Sequence, residues 1–353
     1  MLRSRFRLIA TLTLILLSLI AVPLAVVVVQ NDFNMVEEQV RIPFGDVELE
    51  AVLALPSDAE DPVGLVIFVH GDGPVNASQD GLYRPIWESF AEVGYASLSW
   101  NKQGIDGAAG DWLTQNMADR ALEVDAAIDW ARKRPDIDSG RIGMWGASQA
   151  GWVMPKAAVS NPNLCFMIAV SPAISWLRQG RYNTLAELAE QGATKDQVDE
   201  AVSKSEQARQ LLREQASYET YRLASPNDPD LMTERRWQFV LKNYTADSTE
   251  DLMQARIRTL LILAGHDTNV DVNETLATYE ESLGANLEVI EFPDAVHSLV
   301  NKSISDSPVK SYFTAVFNPR GLFSPGFLSG QQEFLRESTK TCRANSGESA
   351  GAR

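Results

Sequence analysis

The sequence predicts an α/β protein: a mostly parallel sheet with helices on both faces and a helical segment inserted near its middle. Three observations carry this. Short continuous apolar runs such as "VGLVIFV", "FMIAV" and "TLLILA" recur along the chain, the pattern of strands buried on both faces. Stretches with apolar residues at helical spacing separate most of them, as in alternating strand–helix architectures. The chain is also long enough for a substantial core, with 353 residues, 45% hydrophobic and 22% charged, an ordinary globular balance.

The chain opens on "MLRSRFRLIATLTLILLSLIAVPLAVVVVQ". Arg3, Arg5 and Arg7 precede an uncharged run from Leu8 to Val29, about 33 Å long as a helix, enough to span a bilayer core. Pro23 would stand at the −3 position for cleavage after Ala25, a poor signal-peptidase site. Residues 1–30 are therefore expected to form an uncleaved transmembrane signal anchor, with a cleaved signal peptide as the alternative. The arginines would stay cytoplasmic and the rest of the chain would face the periplasm or exterior, secreted if cleavage occurs.

After it, "EEQVRIPFGDVELEAVLALP" alternates in two runs around Gly45 and Asp46, the pattern of a β-hairpin. Strand "VGLVIFV", helix "YRPIWESFAEVGY" and strand "ASLSW" follow. "MADRALEVDAAIDWARKRP" is a helix by its apolar spacing. "RIGMWG" is a strand and "SQAGWVMPKAAVS" a helix. The last core strands are "CFMIAV", "RTLLILAGH" and "LEVIEFPDAV". Residues 175–255 contain no strand-like run and are rich in Ala, Glu, Gln, Lys and Arg, as helices are. They are expected to form a helical cap inserted between a first core part, 36–174, and a second, 256–340. The polar, small-residue tail 341–353 is expected to be disordered.

Lys and Arg total 31 against 47 Asp and Glu, for a net charge of −16. That balance argues against a nucleic-acid partner. There are two cysteines and no C-x-x-C pair, so a thiolate zinc site or redox motif lacks support. Cys165, in "LCFMIAV", reads as a buried small hydrophobe. Cys342 lies in the polar tail, and a bond between the two is not expected.

In such a sheet the chemistry sits beyond the carboxyl ends of the strands. Ser148 lies there, in "GASQAG" between a strand and a helix. A nucleophile on so sharp a turn needs small neighbours, and the helix start suits a developing anion. The chain has three histidines. His70 comes too early and His266 sits beside a better acid candidate. His297, in the loop after the last strand, is the expected base. Asp267, directly after "TLLILAG", is the expected orienting acid, with Asp271 and Asp294 as rivals. The backbone N–H groups of Asp72, in "HGDGP", and Gln149 are the expected oxyanion donors. Acting through the backbone, neither would need its side chain.

Taken in order, "HGDG", "GASQAG", "AGHD" and "DAVH" resemble the α/β-hydrolase superfamily over about residues 36–340. "GDVELEAVLALP" and "DAAIDWARKRPDIDSGRIGMWGASQAG" look like its dienelactone-hydrolase-like and bacterial serine esterase branch, related also to prolyl-oligopeptidase-type catalytic domains. The resemblance implies a Ser–His–Asp acyl-enzyme mechanism with no metal or organic cofactor, acting on a small-molecule acyl substrate. Two departures stand out: Ala150 replaces the usual glycine, and "SWNKQG" stands where relatives often carry Asp-x-Arg-Gly. A carboxylic ester is the expected substrate. A serine peptidase or an acyl-thioester hydrolase is the alternative, and a non-catalytic binding protein of the same fold is the rival from another class. "RRWQFVLKNY" (235–244) would either line an acyl pocket or simply pack.

Overall fold

The computed structural model describes residues 21–226 and 231–350. An eight-stranded sheet in the order β1-β2-β4-β3-β5-β6-β7-β8 forms the centre. Strands β1 (Met35–Phe44) and β2 (Val47–Pro56) form the expected antiparallel hairpin, turning at Gly45 with φ +57°. β2 also pairs antiparallel with β4 (Tyr95–Trp100). Every other pairing is parallel, through β3 (Val63–Val69), β5 (Ile137–Ala147), β6 (Phe166–Val170), β7 (Arg258–His266) and β8 (Leu287–Val296).

The pleat divides the central strands between two cores. Leu65, Ile67 and Val69 of β3 join one; Val66 and Phe68 join the other. The first core takes in α2 (Met117–Ala131), α3 (Met154–Ser160) and α9 (Val272–Leu283) through Val124, Ile128, Met154 and Tyr279. The second takes in α1 (Arg84–Ala91) and α12 (Phe327–Ala350) through Ile86, Trp87, Phe90, Phe334 and Leu335. A sheet covered in this way explains why its strands read as unbroken apolar runs. Asn116 starts α2 with a capping box, accepting from the amides of Ala118 and Asp119 while Asp119 accepts from its own.

Between β6 and β7 the elements among the described residues are all helices: α4 (Trp176–Glu190), α5 (Lys195–Arg213), α6 (Tyr218–Ala224), α7 (Glu234–Asn243) and α8 (Thr249–Gln254). After β8 come α10 (Lys302–Ser305) and α11 (Pro308–Phe317).

Three expectations change. The helix expected from Ser148 is a 3-10 turn over Ser148–Trp152, and α3 begins only at Met154. Pro155 stands in the first turn of α3, where its missing N–H costs nothing, and it cannot lie deeper in a helix. The tail expected to be disordered from residue 341 is helical to Ala350 as the end of α12. Cys165 and Cys342, expected to stay apart, form a disulfide with Cα atoms 5.8 Å apart. They lie 177 residues apart in the chain, but α12 packs on the sheet face beside the start of β6, a juxtaposition invisible to local sequence.

Residues 1–20 of the expected signal anchor lie outside the described residues. Residues 21–30 are helical. Among the described residues no helix is long and apolar enough to cross a membrane.

Candidate active site

Ser148 is the first residue after β5, and its backbone is left-handed at φ 56°. A side-chain-bearing residue rarely adopts that conformation, and a strained serine between strand and helix is the geometry of a nucleophile elbow. The small residues around it are required by contact. A Cβ at Gly146 would lie 2.6 Å from Ala150 Cβ and 2.8 Å from Val69 O. One at Gly151 would lie 2.5 Å from Ala173 O. Ala150 itself is fully buried and fits because Gly146 opposite has no side chain, so the departure from glycine leaves the turn intact.

Asp267 follows β7 directly and is buried. Its Oδ1 accepts from the amides of Asn269 (2.8 Å) and Val270 (2.9 Å), and its Oδ2 meets His297 Nδ1 at 2.7 Å. The structure thus joins the expected base to the expected acid. The rivals are otherwise placed: Asp271 Oδ1 caps α9 through the amides of Asn273 and Glu274, and Asp294 is exposed. His266 is exposed. His70 is buried, its Nε2 2.6 Å from Trp100 O and its Nδ1 3.3 Å from Tyr83 Oη. Burial lowers its pKa to about 3 and keeps the ring neutral. Among the described residues Ser148 Oγ makes no hydrogen bond, so the expected nucleophile and the expected base are not hydrogen-bonded to each other.

Asp72 and Gln149 are brought together, but through the side chains that the sequence left without a part. Gln149 is buried; its Nε2 donates to Asp72 Oδ1 (3.0 Å) and its Oε1 accepts from Arg120 Nη1 (2.6 Å). Arg120 Nη2 donates to His70 O (2.6 Å), and Arg236 of α7 grips both oxygens of Asp72. Burial, the largest single influence, would raise the Asp72 pKa, but the hydrogen-bonded Arg236 guanidinium, the Lys102 charge and the Gly73 amide together hold the carboxyl below its usual range. Beneath this loop the buried Lys102 donates to Gly71 O (2.6 Å) and Gly73 O (2.9 Å), on either side of Asp72. Among the described residues the Asp72 N–H donates to no acceptor, and Gln149 stands in the first turn of its 3-10 helix, where amides lack intrahelical partners.

Lys102 and Arg120 were not foreseen, and Arg236 only as part of the stretch "RRWQFVLKNY". Lys102 lies in the "NKQG" run that departs from Asp-x-Arg-Gly, which was the one available signal.

A cavity of about 360 Å³ opens over Ser148, lined also by Asp72, Gln149, Trp152, Trp176 and Arg236. Trp152 and Trp176 stack at 4.8 Å along one wall. The inserted helices thus reach the site twice more: Tyr182 Oη donates to Asp267 O (2.8 Å), and Asn183 to Thr268 O (3.1 Å). Of "RRWQFVLKNY", Arg236 lines the cavity, whereas Trp237 and Phe239 are fully buried packing residues. A smaller, mainly apolar cavity of about 60 Å³ lies on the His297 side, lined by Ala147, Leu82, Tyr83, Trp145 and Phe323. Among the described residues no group of His, Cys, Asp and Glu could hold a metal ion.

A family model described as X-Pro dipeptidyl-peptidase (S15 family) matches residues 45–298. An uncharacterised 31.7 kDa protein in the traX-finO intergenic region of Escherichia coli is 22% identical over 221 residues, 59% of this chain and 75% of that protein. The hydrolyase poxO of Penicillium oxalicum is 28% identical over 142 residues, 38% of this chain and 32% of that one. Among solved structures, the Pyrococcus furiosus esterase Pf2001 matches with TM-score 0.52 and 19% identity, covering 80% of this chain and 90% of its own. Est1E from Butyrivibrio proteoclasticus matches with TM-score 0.54 and 16% identity, covering 87% and 99%; it is also known with ferulic acid bound. These likenesses establish the α/β-hydrolase fold.

Proposed function

The chain belongs to the X-Pro dipeptidyl-peptidase (S15) family, and from that premise we propose that it is a serine hydrolase cleaving carboxylic esters through Ser148, His297 and Asp267. The observation that carries the reading is the 2.7 Å contact between His297 Nδ1 and the buried carboxylate of Asp267, on the same rim of the sheet as the strained Ser148. Ser148 Oγ attacks the acyl carbonyl while His297 Nε2 takes its proton. Asp267 holds the ring in the tautomer that leaves Nε2 free and stabilises the imidazolium. The N–H groups of Asp72 and Gln149 receive the oxyanion. His297 then protonates the leaving alcohol, and water, activated by the same base, releases the acid.

A peptidase is the second reading, favoured by the name of the matched family. The cavity beside His297 weighs against it. His297 must protonate the leaving group, so that group lies on its side. A small aromatic-lined cavity suits a compact alcohol better than a peptide, whose polar backbone would lose its hydrogen bonds there. The neighbour with bound ferulic acid supports a small acyl substrate.

We further propose that the catalytic domain works outside the cytoplasm, anchored by the apolar N-terminal segment. The Cys165–Cys342 disulfide supports this, because such bonds persist in oxidising compartments.

The test is labelling with a fluorophosphonate probe, followed by a screen of p-nitrophenyl esters, aminoacyl anilides and acyl thioesters. Wild type is expected to label, Ser148→Ala not to label, and esters to turn over fastest. Labelling that survives Ser148→Ala would remove Ser148 as nucleophile, and faster cleavage of the anilides would establish the peptidase.

A further inference from the structure

Helix α11 is amphipathic the wrong way round for a soluble surface. Val309, Tyr312, Phe313, Val316 and Phe317 fall at i, i+3, i+4, i+7 and i+8, a single apolar stripe. Such a stripe normally faces the core, yet no residue of α11 is buried. Val309 and Tyr312 are each 66% exposed and Phe313 54%. Val316 and Phe317, at the end of the stripe, are half-buried, as is Ser311, whose Oγ donates to Ile304 O (2.9 Å), so the exposed part of the stripe is Val309, Tyr312 and Phe313.

A second exposed apolar surface belongs to a helix tied to the end of α11. Residues 21–30 form a helix on which Val22, Leu24, Val28 and Val29 are all at least 60% exposed. The end of that helix is fastened to the end of α11. Asn31 Nδ2 donates to Val316 O (2.9 Å), and Arg320 donates to the carbonyls of Gln30 (2.7 Å) and Asp32 (3.0 Å). Arg320 is held in turn by Glu88 of α1, with contacts at 2.5 and 2.7 Å. A cation on the last carbonyls of a helix stabilises its end, and here it also ties that end to the catalytic domain.

We propose that α11 is an interfacial helix: its Val309–Tyr312–Phe313 face lies in the surface of the bilayer that the N-terminal segment enters. Exposed apolar patches mark interaction surfaces, and an amphipathic helix bearing tyrosine and phenylalanine suits the headgroup boundary. The occupant is a lipid surface because the end of α11 is bonded to the end of the helix that leads back to the uncharged run from Leu8. Two elements touching one bilayer fix the domain's orientation, where a single anchor would leave it free to swivel. The inference rests on the membrane-anchor reading above.

Spin labels test it on the full-length protein in phospholipid nanodiscs. Both cysteines of the sequence are in the disulfide, so single labels at Leu24→Cys, Tyr312→Cys, Phe313→Cys and Met253→Cys stand alone. Met253, on α8, is 46% exposed and is the aqueous control. The inference expects labels at 24, 312 and 313 to collide mainly with dissolved oxygen, and the label at 253 with a water-soluble nickel chelate. Nickel access at 312 and 313 with oxygen access at 24 would overturn it while leaving the anchor. Nickel access at all positions would overturn both. Shielding of 312 and 313 from both reagents would mean that protein covers the stripe, and would overturn it as well.

Discussion

Arg236, carried by the inserted helix α7, holds both carboxylate oxygens of Asp72 in the loop after β3. This ion pair joins the insertion to the loop whose amide is the proposed oxyanion donor. Arg236 also lies 4.9 Å over the ring of Phe239 and 5.8 Å over that of Trp112, which limits its freedom to swing away.

Replacing it with glutamine is expected to lower kcat/KM by up to about 100-fold, the cost of misplacing a catalytic group by roughly 1 Å. Stability should change by less than about 1 kcal/mol, because the pair is partly open to solvent. Steady-state kinetics and urea unfolding of Arg236→Gln check both. The pH dependence follows from the depressed Asp72 pKa. The carboxylate's contribution is present above its unfolded value of about 3.9 and disappears only as pH falls through the lower folded value. Activity near pH 5 should therefore show no loss traceable to Asp72, and a break there that vanishes in Asp72→Asn would contradict this.

Asp267→Asn is expected to reduce kcat by about 10⁴ with little change in KM, since an amide stabilises the wrong imidazole tautomer. Asp294→Asn, at an exposed position, and Asp271→Asn, at a helix cap, should retain near-wild-type kcat. The cap variant should also keep its stability, because asparagine caps a helix about as well as aspartate, whereas Asp271→Ala should lose ~1 kcal/mol.

Lys102→Met tests the support beneath the loop. Lys102 bonds the carbonyls on both sides of Asp72, so its removal frees the amide between them to turn. The expected result is a fall in kcat of about 100-fold, comparable to loss of one oxyanion donor, with KM within about threefold of wild type. A variant that raises KM and spares kcat would show that Lys102 shapes substrate binding instead.

His70 makes a prediction about acid stability. Its pKa falls to about 3 on folding, so between that value and about 6.5 the unfolded chain binds a proton that the native state does not. Stability should therefore decline as pH drops through this window, with a contribution of about 1.4 kcal/mol per pH unit from this group. Urea unfolding from pH 7 to pH 4 should show a shallower decline in His70→Phe than in wild type. Equal slopes would mean that His70 is protonated in the native protein.

Much of this was open to inspection in the sequence. The strands declare themselves because a sheet covered on both faces demands unbroken apolar runs. Ser148 declares itself because its turn admits only small neighbours at positions 146, 150 and 151. Asp267 and His297 could be chosen because each closes a strand and the chain has few histidines. These signals are local: a residue's setting is fixed by what stands within a few places of it.

What the tertiary structure decided is everything that depends on distant segments meeting. Arg236 lies 164 residues from Asp72, and nothing in "RRWQF" tells that its second arginine, rather than its tryptophan, faces the site. The cysteines pair because α12 returns across the sheet to β6, and the outward turn of the α11 stripe depends on which side of that helix the rest of the chain leaves uncovered. Sequence pattern determines which face of an element is apolar, since that follows from backbone period alone. Only packing determines what the face meets, because that is set by the topology of the whole chain.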